Sequence, residues 1–360
     1  MLYEEPTLEP SERKVLDDIR ELWKRLRFQL QQRPLKWRGQ LARTLRARAI
    51  QGSNTIEGYV VSEEDALAAV LGAEKSADAD ETAWPNVLHY REAMDYVLAL
   101  SGAPDFAYSK DLIRSLHFIM LRHAPHAHPG VWRQGPIFVR RAGTGEPVHE
   151  GADADKVPGL IEELAVHLTE HDSDTPTRLV RAAMAHLNLV MIHPFSDGNG
   201  RMSRCLQTLV LVRGGGADDA LSSVMDPTFS SIEEYLGRNI LEYYDVLAKV
   251  GGGSWDPSRD ARPWVRFCLK AHLQQAWLSK RYFDRVGEVS EVVEAVLADR
   301  GVPDRAGTSL ANAAMGATLR NEVYRYEADV SMTVASRDLK QLVEAKLLVA
   351  VGDKRGRHYV

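Results

Sequence analysis

Cysteine is scarce in this chain, with only Cys205 and Cys268 among 360 residues. Two thiols cannot supply a disulfide framework. Both fall in stretches of apolar periodicity, so they are expected as buried free thiols in a reducing compartment. Long apolar runs are also missing. The longest, such as LNLVMI, fall far short of the ~20 residues a membrane-spanning helix needs. The opening MLYEEPTLEPSERK is acidic and has no apolar stretch, so it is not expected to act as a signal peptide. A cytoplasmic protein without a membrane partner is the expectation. No Walker A sequence or kinase glycine loop occurs, so ordinary P-loop and kinase chemistry are not supported. HExxH and paired CxxC are absent, and nothing points to zinc. Internal repeats and low-complexity segments are absent too.

What is present describes an ordinary globular protein, 44% hydrophobic and 26% charged. A chain of this length is long for one core, so two or three lobes are expected. The net charge of −5 argues against general affinity for nucleic acid. Between Arg13 and Arg48 lie twelve Lys/Arg against three Asp/Glu. Such a run is either a polyanion-binding face or, the commoner case, the solvated side of amphipathic helices.

Apolar residues recur at helical spacing over 11–33, 36–51, 62–72, 86–100, 109–122, 155–170, 177–192, 201–212, 231–249 and 260–282. Ser62 and Ser230, each followed by acids, look like helix N-caps. One β element interrupts this pattern: PIFVRRAGTGEPVHEG (136–151) reads as a hairpin. From about Glu288, helices are expected over 289–299, 308–323 and 332–345. A strand, a basic turn and a second strand follow in LLVAVGDKRGRHYV. Three helices and a two-stranded wing describe a winged helix-turn-helix. The triple-histidine loop RHAPHAHPG (His123, His126, His128) is read as an exposed loop rather than a metal site.

The stretch HPFSDGNGRMSR (193–204) gathers the most chemistry. Residues 177–192 are apolar nearly all round, which predicts a buried central helix ended by Pro194. SDGNG cannot lie inside a helix, because its glycines and asparagine favour turns and positive φ. Arg201 then opens the next helix. A glycine-rich loop feeding a helix N-terminus presents backbone N–H groups and the positive dipole end to one point, an anion hole suited to phosphate. Arg201 and Arg204, three apart, share a face near that helix start and can grip phosphate oxygens. Asp197 is placed to hold Mg²⁺ beside the phosphates. His193, at the end of the buried helix, can act as general base. Together these parts assemble a site for nucleotide-phosphate transfer.

HPFSDGNGRMSR resembles the Fic family signature, His-x-Phe-x-Asp/Glu-Gly-Asn-Gly-Arg-x-x-Arg, with every fixed position present. GVWRQGPIFV and the hairpin after it look like the family's flap, and RNILEYYDVL (238–247) resembles its later nucleotide-side helix. The likeness spans about residues 50 to 280. It implies a mainly α fold, a Fic-type helical core with a β-hairpin flap, followed here by the C-terminal winged helix-turn-helix. It further implies three domains: an N-terminal helical region (1–107), the catalytic core (108–284) and the winged-helix domain (285–360).

The activity implied is that of a protein adenylyltransferase, moving AMP from ATP to a Ser, Thr or Tyr hydroxyl of a target protein or of the enzyme itself. His193 would take the hydroxyl proton and Asp197 would hold Mg²⁺. Residues Gly198, Asn199, Gly200, Arg201, Met202, Ser203 and Arg204 would contact ATP, with Asn239 and Tyr243 near the adenosine. Family members that phosphorylate their targets carry lysine where Gly200 stands, so the glycine keeps the AMP-transfer form. GSNTIEGY (52–59) fits the family's inhibitory motif through Ser53, Glu57 and Gly58, placed N-terminal to the core. Glu57 is expected to pair with Arg204 and restrain the enzyme. Some relatives with this glutamate remove AMP instead, and the sequence does not separate the two directions.

The partner is expected to be a protein of unspecified identity. The segment 333–348 looks like a recognition helix. Residues 320–360 hold eight Lys/Arg against six Asp/Glu, so contact with DNA or with protein stays open there. A homodimer also stays open.

Overall fold

Capping starts the first helix. The Glu9 N–H donates to the Glu12 carboxylate at 2.6 Å, and the reciprocal bond completes a capping box at α1 (Pro10–Gln31). Leu16, Ile19, Leu22, Trp23, Leu26 and Leu30 form its buried stripe. That stripe lies along a far longer helix, α11 (Arg262–Arg300), where Trp23 meets His272 edge-on and Glu12 takes Arg262 and Arg266. This computed structural model describes all residues except 33–34, 77, 141–143, 171–177, 214–230 and 354–356.

Between those two helices come α2 (Leu35–Ile56), α3 (Glu63–Leu71), α4 (Ala83–Leu100), α5 (Lys110–Leu121), α6 (Val157–Glu170), α7 (Arg178–Ile192), α8 (Asn199–Val212), α9 (Glu233–Arg238) and α10 (Ile240–Gly251). The centre is α7, in which every residue but Val190 is buried. It packs against α6, α8 and α11. A helix with no polar face needs apolar neighbours all round, and this fixes it as the axis on which the site is built. Cys205 and Cys268 are both buried free thiols.

The hairpin appears as β1 (Phe138–Arg140) and β2 (Pro147–Glu150), antiparallel, with a register irregularity at Val139/Arg140. Part of its turn lies outside the described residues. A third strand, β3 (Gly253–Ser254), pairs parallel with β2, so the sheet order is β1-β2-β3. Nothing in the sequence pattern announced this two-residue pairing.

Several expected boundaries move. The 36–51 helix runs on to Ile56 and carries Ser53 to the site. The 231–249 helix breaks at Asn239, whose φ of −127° and ψ of 41° leave the helical region, and Ser230 lies outside the described residues. The expected helices 260–282 and 289–299 are one 39-residue helix. No proline interrupts it, and the lone Gly287 costs only about 1 kcal/mol against alanine. The expected 308–323 helix divides into α12 (Gly307–Ala314) and α13 (Asn321–Ala328).

After α14 (Met332–Glu344), the strands β4 (Ala350–Val351) and β5 (His358–Tyr359) pair antiparallel, and Leu319 bridges to Tyr359. These C-terminal elements and the end of α11 share an apolar cluster running from Val293 to Tyr359. Leu67 and Leu71 of α3 pack against it, and Arg320 pairs with Glu64. Among the described residues no helix is long and apolar enough to cross a membrane.

Candidate active site

The site forms where α7 stops. His193 follows Ile192 with φ of +55°, a left-handed conformation that costs a non-glycine residue energy and needs support from its surroundings. Arg133 supplies that support. Its guanidinium is buried and donates to the carbonyls of His193 (2.7 Å), Gly135 (2.6 Å), Ile192 (3.3 Å) and Ala152, while its backbone N–H reaches the Pro194 carbonyl. One buried cation thus ties the end of α7 to the segments before and after the hairpin. Gly151 belongs to the same knot. A Cβ there would stand 2.9 Å from Ile137 and 3.0 Å from both His193 and the Ile192 carbonyl, so only glycine fits.

The half-buried His193 ring places Nδ1 3.0 Å from the Val190 carbonyl. A carbonyl only accepts, so Nδ1 carries the proton and Nε2 keeps its lone pair. Burial pushes the imidazole down to about 4, against the opposing pull of the Val190 carbonyl. At neutral pH the ring is therefore an uncharged base.

Beyond it the loop turns tightly. Asn199 is buried and spends its side chain on Phe195, accepting from the Phe195 N–H at 2.9 Å and donating to its carbonyl at 2.8 Å. The Asn199 side chain thus shapes the loop, and its backbone N–H belongs to the first turn of α8. Gly198 caps α8 at φ of +74°, where a Cβ would meet Leu121 at 2.7 Å. The first-turn N–H groups of α8 have no partner within the helix and face outward with the positive dipole end.

Arg201 and Arg204 are each 1% exposed. Arg201 donates to Asn86 at 2.6 Å, lies 3.8 Å from the Asp197 carboxylate and sits over the Tyr59 ring. Arg204 donates from Nε to Ser53 Oγ (2.8 Å), and from Nη2 to the Ser53 carbonyl (3.1 Å) and Glu57 Oε1 (2.6 Å). Burial is the largest single influence and works against the Arg204 charge, but the Glu57 carboxylate, Tyr243 and Tyr90 together outweigh it and hold the guanidinium firmly protonated. A Cβ on Gly200 would stand 2.6 Å from Glu57 Oε1. The Glu57 carboxylate therefore lies against the first turn of α8, at the end where an anion is most stable.

The local sequence explains how Glu57 arrives there. The Tyr59 N–H bonds the Asn54 carbonyl and the Gly58 N–H bonds the Thr55 carbonyl, with Gly58 at φ of +84°. This is a Schellman ending, and it makes Glu57 the C-cap of α2. Gly52 lets α2 press onto α9, since a Cβ there would fall 2.3 Å from the Glu233 carbonyl. The Tyr244 hydroxyl donates to the Ile56 carbonyl at 3.0 Å.

Four of the residues expected near the nucleotide direct their side chains elsewhere. Met202 is fully buried in the core, and buried Ser203 donates to the Asn199 carbonyl. Both side chains leave α8 on its inner face, away from the anion hole. Tyr243 is 1% exposed and its hydroxyl bonds His186 at 3.0 Å. It packs behind Arg204, whereas its neighbour Tyr244 is the tyrosine that reaches the site. Asn239 donates to the Tyr235 carbonyl at 2.8 Å and marks the break between α9 and α10. Arg133, Tyr244 and His117 are the residues that sequence reasoning missed. Arg133 lay within the quoted segment GVWRQG and Tyr244 within RNILEYYDVL, whereas His117 lay in neither.

The residues present fit a nucleotide phosphate. Arg201 Nε and Arg204 Nη1 are buried without a hydrogen-bond partner among the described residues, beside the first-turn N–H groups of α8. The Asp197 carboxylate is about half exposed at the mouth and accepts from the Gly198 N–H at 2.6 Å. Among the described residues no three His, Cys, Asp or Glu cluster as metal ligands. One carboxylate is what Mg²⁺ needs when phosphates complete its shell.

A helical core with a phosphate-type loop between its two central helices defines the class to which this fold belongs. Residues 107–211 match the model of the Fic/DOC family. It is 30% identical over 186 residues to protein adenylyltransferase Fic of Aedes aegypti, covering 50% of this chain and 31% of that protein. Against protein adenylyltransferase fic-1 of Caenorhabditis elegans it is 29% identical over 162 residues, covering 45% and 27%. The chain thus spans about a third of the length of these curated relatives. A Fic family protein from Desulfovibrio desulfuricans G20 shares the fold over 99% of this chain and 97% of its own, with a TM-score of 0.59 at 22% identity.

Proposed function

We propose that this protein transfers AMP from ATP to a hydroxyl side chain of a protein, itself included, and that Glu57 restrains the reaction. The observation that carries this reading is the join of α7 to α8: an uncharged His193 with Nε2 free stands beside a helix N-terminus bearing two buried arginines. The triphosphate would lie on the first-turn N–H groups of α8 and on Arg201 and Arg204. Mg²⁺ held by Asp197 and the phosphates would neutralise charge on the departing group. His193 Nε2 would take the hydroxyl proton as the oxygen attacks the α-phosphorus. The bond from that phosphorus to the α,β-bridging oxygen breaks, and pyrophosphate leaves. The outer edge of β1 carries no partner strand among the described residues. An extended target segment would add there by backbone pairing, next to Ile137 and His193.

Glu57 supports restraint by its position. Its carboxylate holds Arg204 and lies against the α8 terminus, so it competes with the phosphate tail for both charges. The C-terminal helices and ribbon are read as a winged helix whose α14 would meet DNA or another protein. Incubation with labelled ATP and Mg²⁺, followed by mass spectrometry, tests the activity. Wild type and Glu57→Gly should gain AMP on hydroxyl side chains. His193→Ala should lose transfer by about 10²–10⁴-fold while still binding an ATP analogue. Near-normal turnover by His193→Ala would sink the assignment.

A further inference from the structure

Behind the phosphate loop stands His117 of α5, fully buried and outside every motif named above. Its two ring nitrogens face opposite sides of the site. The Gly130 N–H donates to Nδ1 at 2.8 Å, so Nδ1 is the acceptor and Nε2 carries the proton. Nε2 lies 3.0 Å from the Asp197 carbonyl and donates to it. The ring stacks flat on Phe195, with centroids 3.6 Å apart and planes 2° from parallel, and Trp132 covers Phe195 from another side at 4.9 Å. Asp197 and Phe195 belong to the phosphate loop. Gly130 and Trp132 belong to the segment that leads through Arg133 to the hairpin.

We propose that His117 is a positioning residue, a strut that fixes the backbone of Asp197 so that its carboxylate faces the phosphate site, and that ties this loop to the hairpin side through Gly130. The assignment rests on the reading of Asp197 as the Mg²⁺ ligand. The physical argument is one of donors and acceptors. The loop presents a carbonyl and the Gly130 segment presents an N–H, and only a group that donates on one side and accepts on the other joins them. An imidazole with its proton on Nε2 does so rigidly, whereas an apolar ring would leave both backbone groups buried and unpaired.

Two amide substitutions separate the two bonds. The Gln side chain in His117→Gln places its NH₂ where Nε2 stands and keeps the donor to Asp197. The Asn side chain in His117→Asn places its oxygen where Nδ1 stands and keeps the acceptor for Gly130. Both remove the stacked ring, so the comparison isolates the hydrogen bonds. Amide hydrogen exchange of the full chain should show a crossed pattern. The Phe195 and Gly198 amides should exchange faster in His117→Asn, and the Gly130 amide faster in His117→Gln. Mg²⁺-dependent binding of a non-hydrolysable ATP analogue should need about tenfold more Mg²⁺ in His117→Asn, while His117→Gln stays within about twofold of wild type. A residue that merely fills the core would move both variants together in exchange and in Mg²⁺ requirement, and that result overturns the proposal. So does His117→Asn behaving as wild type. If the wild type itself shows no Mg²⁺-dependent nucleotide binding, the nucleotide reading and the metal-positioning role fall together.

Discussion

Arg201 and Arg204 leave the same helix one turn apart, and both are almost wholly buried, yet their surroundings differ. Arg201 is held by Asn86 of α4, with Nε unpartnered among the described residues and Asp197 nearby at 3.8 Å. Arg204 is held by Ser53 and Glu57, all from the end of α2. Burial and charge alone would make the two equivalent. What separates them is which element supplies the partners. The Arg201 half of the site is open toward the mouth, whereas the Arg204 half is filled by a carboxylate carried on another helix. A buried ion pair contributes little net stability when desolvation is counted, but removing one partner leaves a buried charge that seeks another. Deleting Glu57 would leave Arg204 its two Ser53 bonds and, on the proposed reading, should restore its appeal to phosphate.

The open half can be broken most severely. Asp197→Ala should cut AMP transfer on the order of a hundredfold, with partial recovery at high Mg²⁺, because the phosphates still supply metal ligands. Measuring rate against Mg²⁺ checks this, and a loss that high Mg²⁺ never relieves would argue for another role. The closed half should respond more gently. Tyr244→Phe removes the bond to the Ile56 carbonyl that steadies the end of α2. One hydrogen bond of ordinary strength should loosen the Glu57 restraint by about threefold to tenfold. Auto-modification of the variant, compared with wild type, reads this directly. No increase would show that α2 is held without Tyr244.

The sequence disclosed some parts of this site and hid others for physical reasons. Residues whose chemistry is local were legible: the loop glycines, the arginines at a helix start, and a serine and glutamate four apart on one helix face. Direction around a helix was less so. Met202 and Ser203 stand inside the same motif, but a rotation of about 100° per residue turns them into the core. The same rotation exchanges Tyr243 for Tyr244. Arg133 and His117 stayed hidden because most of their partners are backbone groups distant in the chain, and backbone groups leave no mark on residue type. In the fold, periodicity located the long helices, while the break at Asn239 and the continuity through Gly287 depend on tertiary contacts that periodicity does not carry.

The central claim is that one carboxylate decides whether Arg204 is free for ATP. AMP incorporation by wild type, Glu57→Gly and Glu57→Gly/Arg204→Ala, measured with labelled ATP and Mg²⁺, tests it most directly. A coupling of ~1–3 kcal/mol corresponds to a rise of about 5–150-fold in Glu57→Gly. The double variant should lose that gain, since ATP would then lack its own anchor. Equal incorporation by wild type and Glu57→Gly would contradict the account.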